Sequence, residues 1–191
     1  MPGPTISKSN HQIISIAFLA YALLIGRYIA TQPKGEWSFF SWHPFLMICG
    51  FMGAMGIAAV TKKKGGYANT KYHGYLSSAG FVLACAGMYI IYRNKDLHGR
   101  PHFTSTHAKM GIATMICAFL PAFFGVVFLH PDFGKDKMNK NYRFAHKWCS
   151  RTAILGAYVT GYWGLTKMTQ DPLVLASYAL PLMILTPFTL I

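Results

Sequence analysis

The chain has 191 residues, of which 53% are hydrophobic and only 12% are charged, with 18 Lys and Arg against five Asp and Glu. Its mean hydropathy is +0.31. A soluble domain carries about 25% charged residues, so this composition excludes a water-soluble globule and indicates a lipid environment. All five carboxylates lie outside the apolar stretches, which argues against glycosidases, aspartic proteases and carboxylate-driven proton pumps. Long uncharged stretches separate the basic clusters, so the net charge of +13 does not indicate a nucleic-acid partner.

Six apolar stretches follow one another along the chain, each close to the roughly 20 residues that a helix needs to cross a bilayer. They cover residues 12–30, 42–60, 73–92, 106–129, 144–166 and 172–191. The first is long for the hydrophobic region of a signal peptide, so we expect it to remain as a helix. The connections are too short for a soluble catalytic domain. We therefore predict an all-α integral, multi-pass membrane protein, a single domain over residues 1–191 with six transmembrane helices.

Basic residues are distributed unevenly between the two predicted sides of the membrane. With the N-terminus in the cytoplasm, 11 Lys and Arg fall on the inner side and six on the outer side, while Lys109 lies within a span. Cytoplasmic loops of membrane proteins carry the excess of Lys and Arg. The distribution therefore predicts that both termini are cytoplasmic.

Four of the eight histidines lie just inside the start of a predicted span. They are His43 in FSWHPFLM, His73 in KYHGYLSSAG, His107 in FTSTHAKMG and His146 in RFAHKWCS. Ionisable residues within membrane spans are costly and usually functional. Because successive helices run in opposite directions, the second and fourth spans start at the outer face, and the third and fifth at the inner face. We therefore expect His43 at the depth of His107, and His73 at the depth of His146.

Two histidines at one depth on facing helices suit a haem iron, which binds one imidazole on each side of a flat macrocycle. Zinc usually takes three or four protein ligands. No CxxCH motif occurs, so a covalent attachment is excluded. The pattern predicts two non-covalent bis-histidine haems, an outer one held by His43 and His107 and an inner one held by His73 and His146.

Small side chains accompany the four histidines. The residue seven positions after each histidine, on the same helix face, is small: Gly50, Gly80, Thr114 and Ala153. Gly87, Gly111 and Gly164 extend these faces. Close packing of small residues between membrane helices is the alternative explanation, but their coincidence with the histidine faces favours space for a large flat cofactor.

The segments FSWHPFLM, FTSTHAKMG and RFAHKWCS, with four histidines spaced 30, 34 and 39 residues apart, resemble the motifs of the cytochrome b561 family. This resemblance covers roughly residues 13–191. It implies that the second to fifth helices form a central four-helix bundle holding two haem b groups, flanked by the first and sixth. It also implies electron transfer from cytosolic ascorbate to monodehydroascorbate or a ferric chelate, across an endomembrane vesicle or the plasma membrane. Several members of the family are homodimers, so a homodimer is a further expectation.

Basic residues precede or follow the two inner histidines. They are Lys71, Lys140, Arg143 and Lys147. Ascorbate is an anion at neutral pH, and a basic mouth at the inner face would concentrate and orient it. Their spacing is shifted relative to better-known family members, and the same residues would also serve the positive-inside rule and anionic lipid headgroups. They are the candidate ascorbate-binding residues, and the alternative is that they only set the orientation of the helices in the membrane.

Polar residues in the predicted loop between the third and fourth spans are candidates for binding the outer acceptor. These are His98, Arg100 and His102, which would bind an anionic chelate or ferric iron, or form a solvated connection. Arg27 and Arg151 are candidates for pairing with haem propionates, although Arg27 at a span end is also placed to extend to the interface.

Two other classes of protein remain open from the sequence. One is a transporter whose intramembrane histidines bind a divalent metal or protons, although such a site usually includes acidic partners and the spans contain none. The other is a haem-free structural membrane protein that uses its glycine faces for assembly. Each histidine taken alone would also fit a hydrogen-bonded polar residue near the interface. The four placements together favour a haem electron-transfer reductase.

Overall fold

A computed structural model describes residues 6–190, and every regular element among them is helical. The described residues form six helices, numbered here in chain order: α1 Lys8–Ala30, α2 Trp42–Lys62, α3 Tyr67–Leu97, α4 Thr106–Val127, α5 Lys140–Leu165 and α6 Pro172–Leu190. All except α5 are long and apolar enough to cross a membrane. The prediction of an all-α membrane protein is therefore confirmed, with five candidate spans among the described residues where the sequence predicted six.

Helix α5 begins four residues before the predicted span 144–166. Its start is fixed by Asn139, whose side-chain oxygen accepts hydrogen bonds from the backbone N–H groups of Asn141 at 2.9 Å and Tyr142 at 3.2 Å. The first half of the helix contains four basic residues: Lys140, Arg143, Lys147 and Arg151. These charges lower its hydropathy, which is why its 26 residues do not qualify as a span by composition.

Helix α3 is longer than predicted, with 31 residues that extend the stretch 73–92 at both ends. It follows a reversal at Gly65 and Gly66, whose φ angles of 68° and 81° are adopted at least cost by glycine. His73 therefore lies two turns inside the helix rather than at its start, and His146 is likewise the seventh residue of α5.

The core helices pack as two antiparallel pairs, α2 mainly against α3 and α4 mainly against α5. Gly50 and Gly80 let α2 and α3 approach closely. A Cβ atom on Gly50 would lie 2.6 Å from the Gly80 carbonyl oxygen, and one on Gly80 would lie 2.7 Å from the Gly50 carbonyl oxygen. Any larger residue at either position would separate these two helices.

Helices α1 and α6 cover the core from outside. The fully buried ring of Phe18 in α1 packs where Gly56 of α2 leaves space, since a Cβ there would lie 2.6 Å from Phe18 Cδ1. The Tyr178 hydroxyl of α6 donates a hydrogen bond to the Tyr158 carbonyl of α5 at 3.0 Å. The Tyr21 hydroxyl of α1 donates in turn to the Tyr178 carbonyl at 3.0 Å, which ties α1 to α6.

Two helices contain a π-helical segment, Tyr21–Ile25 in α1 and Ile48–Ala54 in α2. A π turn widens the helix locally and usually accommodates one additional residue without breaking it. The segment in α2 lies between the two levels at which the histidine pairs are found.

Candidate functional site

The outer pair of histidines lies between α2 and α4. The ring centroids of His43 and His107 are 6.3 Å apart, with an interplanar angle of 84°. His43 Nδ1 lies 2.9 Å from the Gly87 carbonyl oxygen of α3, and His107 Nδ1 lies 3.0 Å from the Thr160 carbonyl oxygen of α5. Each ring is thus oriented by a helix that does not belong to its own pair.

The inner pair lies between α3 and α5. The rings of His73 and His146 have centroids 6.1 Å apart and an interplanar angle of 77°. His73 Nδ1 lies 3.0 Å from the Ala58 carbonyl oxygen of α2, and His146 Nδ1 lies 3.0 Å from the Pro121 carbonyl oxygen of α4. The two sites therefore have the same construction.

These four hydrogen bonds fix the protonation of the imidazoles. A carbonyl oxygen only accepts, so each Nδ1 carries the proton and donates it. In a neutral ring the Nε2 atom then keeps its lone pair, which is the arrangement found in metal-binding histidines whose second nitrogen is held by a carbonyl or carboxylate. Each pair therefore offers two oriented Nε2 lone pairs.

The spacing of the rings suits a metal ion bound on both sides. A metal–imidazole bond of about 2 Å, with the nitrogen about 1 Å from the ring centre, places two ligand rings about 6 Å apart. Among residues 6–190, no group of three or more His, Cys, Asp or Glu side chains is arranged to hold a metal. Each site thus supplies two imidazoles and no third protein ligand, which fits haem iron better than zinc.

Two glycines lie against the histidine rings. A Cβ on Gly164 of α5 would be 2.5 Å from His107 Cε1, and a Cβ on Gly125 of α4 would be 3.3 Å from His146 Cε1. Each glycine comes 18 residues after the histidine of its own helix, or five turns later on the same face. Gly164 was predicted from the sequence and Gly125 was not, although the same spacing identifies it.

A cavity of about 690 Å³ adjoins the outer pair, and His43 and His107 both line it. Its size is within the range of small-molecule and cofactor sites. Most of the lining is apolar or small, including Phe51, Gly111 and Gly164. The two histidines therefore border a mostly apolar space that is large enough for an extended cofactor.

The outer loop contributes one of its three predicted residues to this cavity. His102 lines it, stacks on Tyr92 with ring centroids 4.0 Å apart, and has its Nε2 atom 2.8 Å from Asp96 Oδ1. The Nδ1 atom of His98 instead forms a hydrogen bond of 2.6 Å with the Asn94 carbonyl oxygen at the end of α3. Arg100 is exposed. Neither lines the cavity.

Two lysines that are not among the predicted site residues line the outer cavity. Lys95 at the end of α3 has its ammonium 2.9 Å from the Pro101 carbonyl oxygen, and Lys167 follows α5 with its ammonium 5.3 Å from the Trp163 ring centroid. None of the residues that line the cavity is an Asp or Glu. The two lysines are therefore the charged side chains of the lining, and Asp96 adjoins the cavity through its contact with His102.

Near the start of α3, Lys71 is paired with an acidic residue of the α4–α5 loop. Its ammonium lies 2.9 Å from Asp132 Oδ2, and the Tyr67 hydroxyl donates to the other carboxylate oxygen. The hydrogen bond from Tyr67 and the contact with Lys71 lower the pKa of Asp132. This loop is thereby fastened to the first turns of α3.

The other predicted ascorbate-binding residues lie on the exposed first half of α5: Lys140, Arg143 and Lys147. A further cation, Lys62 at the end of α2, donates to Thr70 Oγ1 at 2.6 Å and is within electrostatic reach of both His73 and His146. Lys62 is not among the site residues predicted from the sequence, because nothing in the local sequence places it near the inner histidines.

The two arginines predicted to pair with propionates lie against tryptophans. Arg27 is exposed, with its guanidinium carbon 6.0 Å from the Trp37 ring centroid, and it does not line the outer cavity. Arg151 lies 5.1 Å from the Trp148 ring centroid. Burial and repulsion from Arg151 lower the pKa of the neighbouring Lys63.

The fold and site define a polytopic helical membrane protein with two pairs of histidines, placed at two levels between its core helices. The chain belongs to the cytochrome b561 family: the model of that family described as Eukaryotic cytochrome b561 matches residues 42–171. This match includes all four paired histidines and confirms the family resemblance seen in the sequence. Members of this family bind haem b.

One curated relative is similar over much of the chain. It is the bovine (Bos taurus) protein described as "Transmembrane reductase CYB561D2", which is 24% identical over 138 residues, covering 66% of this chain and 58% of that protein. The chain thus spans just over half the length of this relative. The description of the relative as a transmembrane reductase agrees with an oxidoreductase role for the family.

Proposed function

We propose that the protein transfers electrons across a membrane from cytosolic ascorbate to an outer or lumenal acceptor, with haem b bound at each of its two histidine pairs. The observation that carries this proposal is the repeated geometry of the two pairs, with ring centroids 6.3 and 6.1 Å apart and each Nδ1 proton donated to a carbonyl oxygen. When bound, haem b supplies one-electron redox chemistry at each level. The acceptor class is monodehydroascorbate or a ferric chelate.

In the proposed topology all six helices cross the membrane, with both termini in the cytoplasm. Helix α5 is included because its second half, after Arg151, is apolar and because it provides His146 and the Thr160 carbonyl to the two sites. The basic first half would extend its side chains to the inner interface. The helix rise of about 1.5 Å per residue puts the two histidine levels of α3, His73 and Gly87, about 21 Å apart, which is less than the thickness of the hydrocarbon core.

The chain's own groups would hold and orient the cofactors. The Nδ1–H donors align the imidazoles and raise the basicity of the Nε2 ligands. The apolar lining of the outer cavity would exclude water and lower the local dielectric, which helps to set a reduction potential. Arg27 and Arg151 remain candidate partners of the propionates, and Lys62 and Lys95, near the inner and outer pairs respectively, join them.

Cationic residues at each end would bind the anionic substrates. At the inner face Lys71, Lys140, Arg143 and Lys147 would attract and orient ascorbate beside His73 and His146. Lys71 is the most constrained of these, since Asp132 already holds its ammonium.

At the outer face, Lys95 and Lys167 on the cavity rim, with His102, would receive an anionic acceptor. His98 and Arg100 are more remote members of this outer set because they do not line the cavity.

The proposal is tested with purified protein and then with proteoliposomes. We expect a dithionite-reduced visible spectrum typical of bis-histidine haem b and two haems per chain by the pyridine haemochrome method. Colourless protein expressed with haem supplementation would overturn the proposal and favour the haem-free or transporter alternatives. In vesicles loaded with ascorbate, an external ferric chelate or monodehydroascorbate should be reduced, and the preferred acceptor is the one with the higher kcat/KM. Vesicles carrying His73→Ala protein control for leakage of ascorbate.

A further inference from the structure

Each core helix carries a histidine and, further along, the carbonyl that orients a histidine of its partner helix. In three helices the carbonyl follows the histidine by 14 residues: Gly87 after His73 in α3, Pro121 after His107 in α4, and Thr160 after His146 in α5. In α2 the spacing is different, because Ala58 follows His43 by 15 residues.

One additional residue has a large effect on the direction of a helical group. Fourteen residues make about four turns, so the two groups share a face, whereas a fifteenth would rotate the second group by about 100°. Nevertheless the Ala58 carbonyl oxygen lies 3.0 Å from His73 Nδ1, as near as the corresponding contacts of 2.9 to 3.0 Å in the other helices. Helix α2 must therefore absorb the additional residue locally.

The excess residue is located in the second half of this interval. Gly50 follows His43 by seven residues and Gly80 follows His73 by seven residues, and the two glycines pack against each other. The spacing from the histidine to this glycine is therefore the same in α2 and α3. From Gly50 to Ala58 there are eight residues, against seven from Gly80 to Gly87. The π segment Ile48–Ala54 overlaps this interval, and α3, α4 and α5 contain none.

We infer that the π segment of α2 is a one-residue insertion that keeps His43 and the Ala58 carbonyl on the same face, so that one helix serves both histidine pairs. The segment is a positioning element: it acts through His43 and His73. This inference rests on the proposed function only where it assigns the two pairs to haem. It explains why the departure from α-helical geometry lies in α2, the core helix with the longer spacing.

A pair of single-alanine deletions tests the inference. Deletion of Ala54, the last residue of the π segment, makes the α2 spacing 14, and we expect two haems per chain and unchanged low-spin electron paramagnetic resonance (EPR) signals. Deletion of Ala86 in α3 is the matched control: this residue is exposed, so its loss removes little packing. It reduces the His73–Gly87 spacing to 13, and we expect loss of at least one haem or of the folded protein.

The outcomes separate this inference from the proposed function. If the wild-type protein binds two haems but the Ala54 deletion loses one or aggregates in detergent, the register inference is wrong. It is equally wrong if the Ala86 deletion retains both haems with wild-type signals. If the wild-type protein binds no haem, the proposed function fails. The melting temperatures in detergent then decide the register question, since deletion of Ala54 should leave the value unchanged or higher and deletion of Ala86 should lower it.

Discussion

Substitution of Gly164 by alanine should selectively damage the outer histidine site. The added Cβ would lie 2.5 Å from His107 Cε1 and 2.8 Å from its Nδ1 atom, whereas carbon atoms in contact are normally about 3.5 to 4.0 Å apart. The ring or helix α5 must therefore move by about 1 Å. A ring shift of this size would stretch the 3.0 Å hydrogen bond from Nδ1 to the Thr160 carbonyl beyond hydrogen-bonding range.

The expected magnitude follows from two opposing effects. Overpacking in a well-packed core costs about 1 to 3 kcal/mol, while alanine is favoured over glycine in a helix by about 1 kcal/mol. If the net penalty of up to about 2 kcal/mol falls on the cofactor-bound state, haem retention at the outer site weakens by up to roughly 30-fold. Gly125→Ala should be milder, because its Cβ would lie 3.3 Å from His146 Cε1.

The assay is haem content per chain together with the two EPR signals, measured on purified protein after repeated washing in detergent. Gly74→Ala is the matched control, since it lies next to His73 in α3 and a Cβ there would meet nothing within 4 Å. We expect Gly164→Ala to lose the outer signal, Gly125→Ala to perturb the inner one, and Gly74→Ala to retain both. Full retention of the outer signal in Gly164→Ala would refute the reasoning.

Three further predictions concern the two faces of the protein. Lys71→Gln should raise the KM for ascorbate about two- to fivefold, the range for an exposed charge contact. Asp132→Asn should lower this KM, because it frees the Lys71 ammonium. Steady-state reduction kinetics check both variants, and a shift of the KM in the same direction and by the same amount in both would contradict a role of Lys71 in binding ascorbate. Because the pKa of Asp132 is lowered, its carboxylate anchors the α4–α5 loop fully above the ordinary aspartate pKa of about 3.9 and stops doing so as the pH falls through the lowered value. The backbone amides of residues 128–139 should therefore stay protected from hydrogen exchange between pH 7 and about pH 4. Loss of this protection near pH 6 would exclude Asp132 as the anchor. Lys95→Gln and Lys167→Gln should each raise the KM for a ferric chelate anion and weaken the salt dependence of that KM, while the KM for ascorbate stays unchanged. A change in the KM for ascorbate alone would contradict a role of these lysines in binding the outer acceptor.

Much of the fold follows from hydropathy, while the exceptions have local causes. The five apolar helices are evident from composition, but α5 carries four basic residues in its first half and begins at the Asn139 cap, so hydropathy placed its start too late. Helix α3 was predicted too short because its polar end turns lie beyond the apolar stretch. Residues that belong to a helix but not to an apolar core are not identified by a hydropathy window.

The site was only partly accessible from the sequence. The alternation of helix directions is sufficient to group His43 with His107 and His73 with His146, and the structure brings the rings together in these combinations; their ligation of haem stays a prediction. The groups that orient the rings are backbone carbonyls, which have no residue signature. The Lys71–Asp132 pair joins positions 61 residues apart, and no local pattern indicates such a contact.

The central claim is that the histidines act as two pairs, and EPR spectroscopy of four single variants tests it most directly. We predict that His43→Ala and His107→Ala each abolish one low-spin haem signal, the same in both variants. His73→Ala and His146→Ala should each abolish the other signal. Loss of the same signal in His43→Ala and His73→Ala, or retention of both signals in any of the four variants, would contradict the account.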